Sequence, residues 1–205
     1  MIAIRKVEKK EKKIINEIVN SHLETFTGFF LTFLGKGFLK LLYKSYVKYK
    51  DSGLLVALED DKVAGFIAYS GDYSGLYKYM LKTRLIPFMW FSFIAFCKKP
   101  KIFFRLFRAL KKKDEVKRTE KYVELASIGV KPDFKSNGIG SKLIDYLKKI
   151  IDFNVFEYIN LETDADNNDY VNNFYKKNSF ILSRTYSTDE GRRMNEYRFY
   201  SRGAE

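Results

Sequence analysis

Apolar positions along this chain recur with two periods, and the switches between them set out the elements. Ile2 to Val7 reads as a first strand, and the charged stretch from about Lys10 to His22 as a helix with Ile14, Ile15, Ile18 and Val19 on one side. A second helix is predicted over Lys36 to Lys48, with Phe38, Leu41, Leu42, Tyr43 and Tyr46 as its apolar face. Leu54 to Leu58 and Val63 to Tyr69 are β-type runs, and the polar Glu59-Asp60-Asp61-Lys62 between them predicts a hairpin. Further on, Tyr122 to Val130 reads as a strand, Gly138 to Ile151 as a helix with Ile139, Leu143, Leu147, Ile150 and Ile151 inward, and Val155 to Thr163 as a strand. Asn168 to Lys177 is then a helix, and Ser179 to Tyr186 and Met194 to Ser201 are a closing pair of strands. Strands alternating with helices after a hairpin imply a layered α/β domain, and 205 residues suit one domain spanning 1–205.

Residues 73–120 interrupt this pattern as an insertion. Leu85 to Cys97 carries no charge, and Ile102 to Leu110 mixes bulky apolar groups with arginine. Thirteen uncharged residues fall short of the roughly 20 a helix needs to cross a bilayer core, so the run is not read as a transmembrane anchor. On a helix, Arg105, Arg108 and Lys112 share a face opposite Phe103, Phe107 and Leu110. Between Leu76 and Arg118, thirteen Lys/Arg meet only Asp114 and Glu115, so this segment holds +11 of the chain's formal +13. The charge therefore marks one segment of an otherwise nearly neutral domain. Cys97 is the only cysteine and His22 the only histidine, which excludes an internal disulfide, a Cys/His metal set and histidine triads. The opening residues run into charge without an apolar h-region, so no secretory signal is read and a cytoplasmic location is the expectation.

The most informative stretch is Ile128-Gly129-Val130-Lys131-Pro132-Asp133-Phe134-Lys135-Ser136-Asn137-Gly138-Ile139-Gly140-Ser141. A strand ends, a short loop follows, and two glycines open an amphipathic helix whose unpaired N–H groups suit a phosphate. The spacing fits neither the three-glycine dinucleotide fingerprint nor the Walker pattern. Lys135-Ser136-Asn137-Gly138-Ile139-Gly140 resembles the Arg/Gln-x-x-Gly-x-Gly/Ala signature of the GNAT superfamily, the Gcn5-related N-acetyltransferases, with lysine in first place. Asn168-x-x-Val171-x-x-Phe174-Tyr175-x-x-x-Ser179-Phe180 resembles the family's second segment, Asn-x-x-Ala-x-x-Phe-Tyr-x-x-x-Gly-Phe. Ser179 replaces the glycine, and Asn178 is expected to take the left-handed helix-end conformation.

The resemblance implies the GNAT fold, a mixed and mostly antiparallel central sheet flanked by helices, here with a basic helical insertion between strands 3 and 4. It implies acetyl-CoA as co-substrate, with no metal. The pyrophosphate would lie on backbone N–H groups from Ser136 through Asn137, Gly138, Ile139 and Gly140 to Ser141, beside Lys135. The pantetheine would run along Ile128, Gly129 and Val130, where that strand splays from the one starting near Val155. By the same resemblance Tyr175 is the general acid for the departing thiolate, Glu124 the base for a small-molecule amine acceptor, and Asn168 a neighbour of the CoA arm or a helix cap. Strand alternation puts Glu124 and Ala126 on one face, Val123 and Leu125 on the other. His22 is a further candidate base by its ordinary pKa, or a packing residue.

Four readings of residues 73–120 stand side by side. They are a lid that attracts an anionic acceptor such as a nucleotide-linked amino sugar, a peripheral membrane contact through 85–113 with Trp90 inserted, a homodimer interface, and a solvated face over ordinary core. Nucleic acid is not expected, since the aromatics sit in apolar runs read as buried. The rival to an enzyme is a non-catalytic acyl-CoA-binding or membrane-associated module on the same fold.

Overall fold

The computed structural model describes residues 2–98, 100, 119–188 and 191–201. Among these residues seven strands form one sheet: β1 (Ile2–Lys6), β2 (Ser52–Glu59), β3 (Lys62–Ser70), β4 (Tyr122–Val130), β5 (Tyr158–Asp164), β6 (Ile181–Ser187) and β7 (Arg193–Tyr200), in the order β1-β2-β3-β4-β5-β7-β6. Only β4 and β5 pair in parallel; every other neighbour is antiparallel. The helices are α1 (Lys12–Thr25), α2 (Phe30–Lys48), α3 (Tyr73–Lys98), α4 (Ile139–Ile150) and α5 (Asp169–Lys177). The expected mixed, mostly antiparallel sheet with a helix between β3 and β4 is what the chain forms.

Each face of the sheet has its own core. On one, Ile139, Leu143, Ile144 and Leu147 of α4 pack with Tyr175 of α5 over Leu55, Ile67, Val123, Leu125, Ile159 and Leu161. A core side chain of this kind contributes roughly 1.5–3 kcal/mol by leaving water. On the other face, Ile15, Ile18 and Val19 of α1 join Leu39, Tyr43, Tyr46 and Val47 of α2 over Leu54, Val56, Phe66 and Ala68. Strands buried on both faces lose the alternation of a one-sided strand, which is why β2 and β3 read as continuous apolar runs.

The boundaries differ from expectation in readable ways. α2 begins at Phe30, but Gly35 at φ 84° breaks it, so its regular part starts at Lys36 as the periodicity predicts. β5 begins at Tyr158 because the N–H groups of Val155 and Phe156 turn back to the Asp152 carbonyl, at 3.1 and 3.0 Å. The left-handed residue after α5 is Ser179 itself, at φ 62°, and Asn178 stays at φ −91°. The Asn178 amide instead donates to the Phe174 carbonyl at 2.8 Å. The face formed by Arg105, Arg108 and Lys112 lies outside the described residues.

Candidate active site

The site is a fork in the sheet. β4 and β5 pair only through Tyr122–Tyr158, Val123–Ile159 and Glu124–Asn160, after which β5 continues along β7 and β4 along β3. From Leu125 to Val130, β4 has no strand on its β5 side among the described residues. This is the splay expected beside Ile128, Gly129 and Val130, and it opens a slot between two strands that still belong to one sheet.

Glu124 stands on the last rung before the fork, and the Asn160 side-chain amide donates to its Oε2 at 2.9 Å. Asn160 is buried, and among the described residues its Oδ1 has no partner while its amide serves the carboxylate. The β3–β4 register slips at Ala126: Tyr69 pairs with Leu125 but Ala68 with Ser127. This bulge inverts the alternation beyond it. Val123 and Leu125 face α4, as expected, but so do Ile128 and Val130, which throws Ser127 and Gly129 onto the side of Glu124. Sequence alternation alone could not anticipate that Glu124 and Ser127 share a face.

That face is walled by tyrosines. The Tyr43 hydroxyl meets Ser127 and sits 2.6 Å from Nδ1 of His22; burial pushes its pKa well above the usual phenol value. Tyr46 is also raised, first by burial and then by the neighbouring Tyr73, Tyr43 and Glu124, and it hydrogen-bonds Tyr73 at the start of α3. His22 is buried among Phe26, Tyr43 and Phe66, and desolvation lowers its pKa to about 4, which makes it a poor base at neutral pH. Tyr73, Ser127 and Asn160 were not singled out from the sequence, and Tyr43 and Tyr46 only as part of the apolar face of the second helix. Only Asn160 gave a local signal, a polar residue inside the apolar run of β5.

Across the sheet, the 3-10 turn Pro132–Phe134 leads to exposed Lys135, Ser136, Asn137 and Gly138. Ser136 at φ 66° and Gly138 at φ 69° are both left-handed, and Gly138 caps α4 by its backbone alone, with no side chain bonded to the helix start. The first intrahelical bond made by α4 with the cap runs from Lys142 N–H to the Gly138 carbonyl, at 3.0 Å. The N–H groups of Ile139, Gly140 and Ser141 therefore remain for an anion, as a pyrophosphate cradle requires. Gly140 has a packing reason as well: an added Cβ would lie 3.0 Å from the Phe174 ring of α5. Gly129 is comparable, since a side chain there would meet Phe66 and Phe26.

Tyr175 is buried on the α4 side, between Phe174, Phe180 and Tyr197, and burial raises its pKa far above the usual phenol value. Glu124 and Tyr175 thus occupy opposite faces of the sheet. Asn168 holds the N-cap position of α5 without capping it; its amide donates to Thr163 Oγ1 at 2.8 Å and to the Asp164 carbonyl at 3.1 Å, tying α5 to the end of β5. Asn172 extends the tie to Asn195 and Tyr197 of β7.

Among curated proteins none matches the chain significantly. Solved structures share its architecture at low identity. An acetyltransferase of the GNAT family from Bacillus cereus is 14% identical, with 98% of each chain covered and a TM-score of 0.59. Arabidopsis thaliana NAA60, solved in complex with acetyl-CoA, is 15% identical, with 99% of this chain and 100% of that chain covered and a TM-score of 0.55. A Drosophila melanogaster polyamine N-acetyltransferase, which catalyses formation of N-acetylagmatine, is 10% identical, with 98% and 100% covered and a TM-score of 0.60. These likenesses establish the fold. The profile described as the acetyltransferase (GNAT) family matches residues 16–180, so most of the chain, the fork and phosphate loop included, carries the family pattern. The chain belongs to the GNAT family of acetyltransferases, with acetyl-CoA as the acetyl donor.

Proposed function

We propose that the protein transfers acetyl from acetyl-CoA to the primary amine of a small anionic acceptor by direct attack in the slot between β4 and β5. The observation that carries this reading is Glu124 on the last paired rung, oriented by Asn160. A protonated amine has no lone pair to attack with, so a carboxylate at the fork is positioned to accept its proton. The amine nitrogen then bonds to the thioester carbon, the C–S bond breaks, and the thiolate leaves along β4. Tyr175 keeps its own proton because phenolate is costly in its surroundings. Its role is to offer that O–H to the developing thiolate as a hydrogen bond, while the proton that completes CoA comes from the attacking nitrogen through Glu124 or from water.

Charge supports an anionic acceptor. Tyr73 hydrogen-bonds Tyr46, itself a neighbour of Glu124, and opens α3, which carries Lys78, Lys82, Arg84 and Lys98 and no acidic residue. A nucleotide-linked amino sugar has both the amine and the negative charge such a wall would select. The test is thiol release from acetyl-CoA over a panel of amines that includes nucleotide-linked amino sugars. Glu124→Gln is expected to lower kcat by roughly 10²-fold or more at neutral pH with acetyl-CoA affinity unchanged, and Tyr175→Phe by a smaller factor. Binding of acetyl-CoA without turnover of any amine would instead favour a non-catalytic acyl-CoA-binding module.

A further inference from the structure

α3 breaks the rule that a surface helix is apolar inward and polar outward. It bends at Arg84, whose φ is −142°, and Pro87 follows, so its second half runs from about Leu85 to Lys98. The inward stripe of that half packs on α2: Phe88 lies edge-on to Phe38 at 4.8 Å, Phe91 fills the space left by Gly37, and Ala95 is buried. The outward stripe has helical spacing too, and it is equally apolar. Ile86 is 80% exposed, Met89 61%, Trp90 62% and Phe93 57%. Of the most apolar 18-residue stretch of α3, only 6% is buried. The expectation that these aromatics are buried therefore holds for Phe88 and fails for Trp90 and Phe93.

We propose that the outward stripe of α3, centred on Trp90, seats the protein on the surface of an anionic lipid bilayer. Charge selects this occupant. α3 contains no acidic residue, and its uncharged run is bracketed by Lys78, Lys82 and Arg84 on one side and Lys98 on the other. Arg84 also adjoins a group of α2 and α1 cations: the pKa of Lys44 is lowered by burial and then by Lys40, Arg84, Lys12 and Lys48. Cations flanking a bulky apolar stripe with a central tryptophan suit an interface where side chains enter the acyl boundary and the charges meet lipid phosphates. A second copy of the chain is a poorer occupant, because a twofold contact would set two such basic surfaces against each other. The helix lies on the bilayer and does not cross it: although its 26 residues are long and apolar enough to span one, it bends at Arg84 and its inward stripe is held by α2.

Trp90 is the only tryptophan in the chain, so its fluorescence reports this surface directly. Titrating the full chain with phosphatidylcholine–phosphatidylglycerol vesicles is expected to shift its emission to the blue and protect it from acrylamide. Pure phosphatidylcholine or high salt should largely abolish the response. Ile86→Ser with Phe93→Ser should weaken vesicle binding roughly tenfold or more at an unchanged unfolding midpoint. Lys78→Glu with Lys82→Glu, at exposed positions, is a second variant pair and should weaken it at least about tenfold. An unmoved Trp90 signal on anionic vesicles, or equal binding to neutral ones, overturns the proposal. So does a Trp90 already shielded in vesicle-free protein, whether by a second copy in sedimentation or by the chain itself, and so does a response to single-stranded RNA in place of vesicles. None of these readouts depends on acetyl transfer.

Discussion

The two faces of the sheet are covered by helices built on opposite principles. On the α4 side, Ile139, Leu143, Ile144 and Leu147 point in, Lys142 and Lys149 point out, and the glycines, motif and helix start all serve one compact arrangement. On the α2 side, polar groups are taken inside, with His22, Tyr43 and Tyr46 buried next to Ser127 and Glu124, while α3 turns tryptophan and phenylalanine outward. The first face sets the phosphate loop and Tyr175 into an ordinary apolar core. The second spends stability on groups that folding does not need, which is the mark of a surface shaped by what it must meet.

This contrast can be broken by measurement. The largest effect belongs to the α4 face: Leu143→Ala should cost about 2–5 kcal/mol in urea unfolding, because Leu143 is wholly buried and its neighbours cannot collapse around the gap. On the α2 face, His22 should make stability pH-dependent. Its folded pKa of about 4 lies below the ordinary 6.5, so the unfolded chain takes up the proton first. Stability is therefore full above about pH 6.5 and falls by about 3 kcal/mol as pH drops to 4. His22→Gln should remove that share of the slope, read as the difference between the two proteins' unfolding midpoints across pH. Ser179→Gly should gain about 1 kcal/mol, since a left-handed φ of 62° strains serine and not glycine. Smallest of all, Phe93→Ser should change stability by under about 0.5 kcal/mol, although it removes a residue as large as Phe66 in the core. A large loss there would mean that α3 is structural after all.

How far the sequence disclosed the molecule follows the same division. Period and turn chemistry located every strand and the helices of the α4 face within a few residues, because each element there announces itself locally. Lys135 to Ser141, Tyr175, Glu124 and Asn168 came from motif spacing, which is also local. The partners of Glu124 did not, since Asn160 reaches it through a three-rung parallel pairing, Ser127 through a bulge, and Tyr46 and Tyr73 through the docking of two helices. Residues brought together by register and helix packing leave no spacing to read. The outward stripe of α3 was hidden for a different reason: an apolar run reads the same whether the fold buries it or not.

The fork has a consequence for hydrogen exchange. Residues 125–130 lie in the middle of a seven-stranded sheet, yet among the described residues no strand pairs with their amides on the β5 side. In the ligand-free protein those amides should exchange rapidly beside slowly exchanging neighbours in β3. An extended ligand with amides of its own would add there as an eighth, temporary strand, so that binding and completion of the sheet become one event.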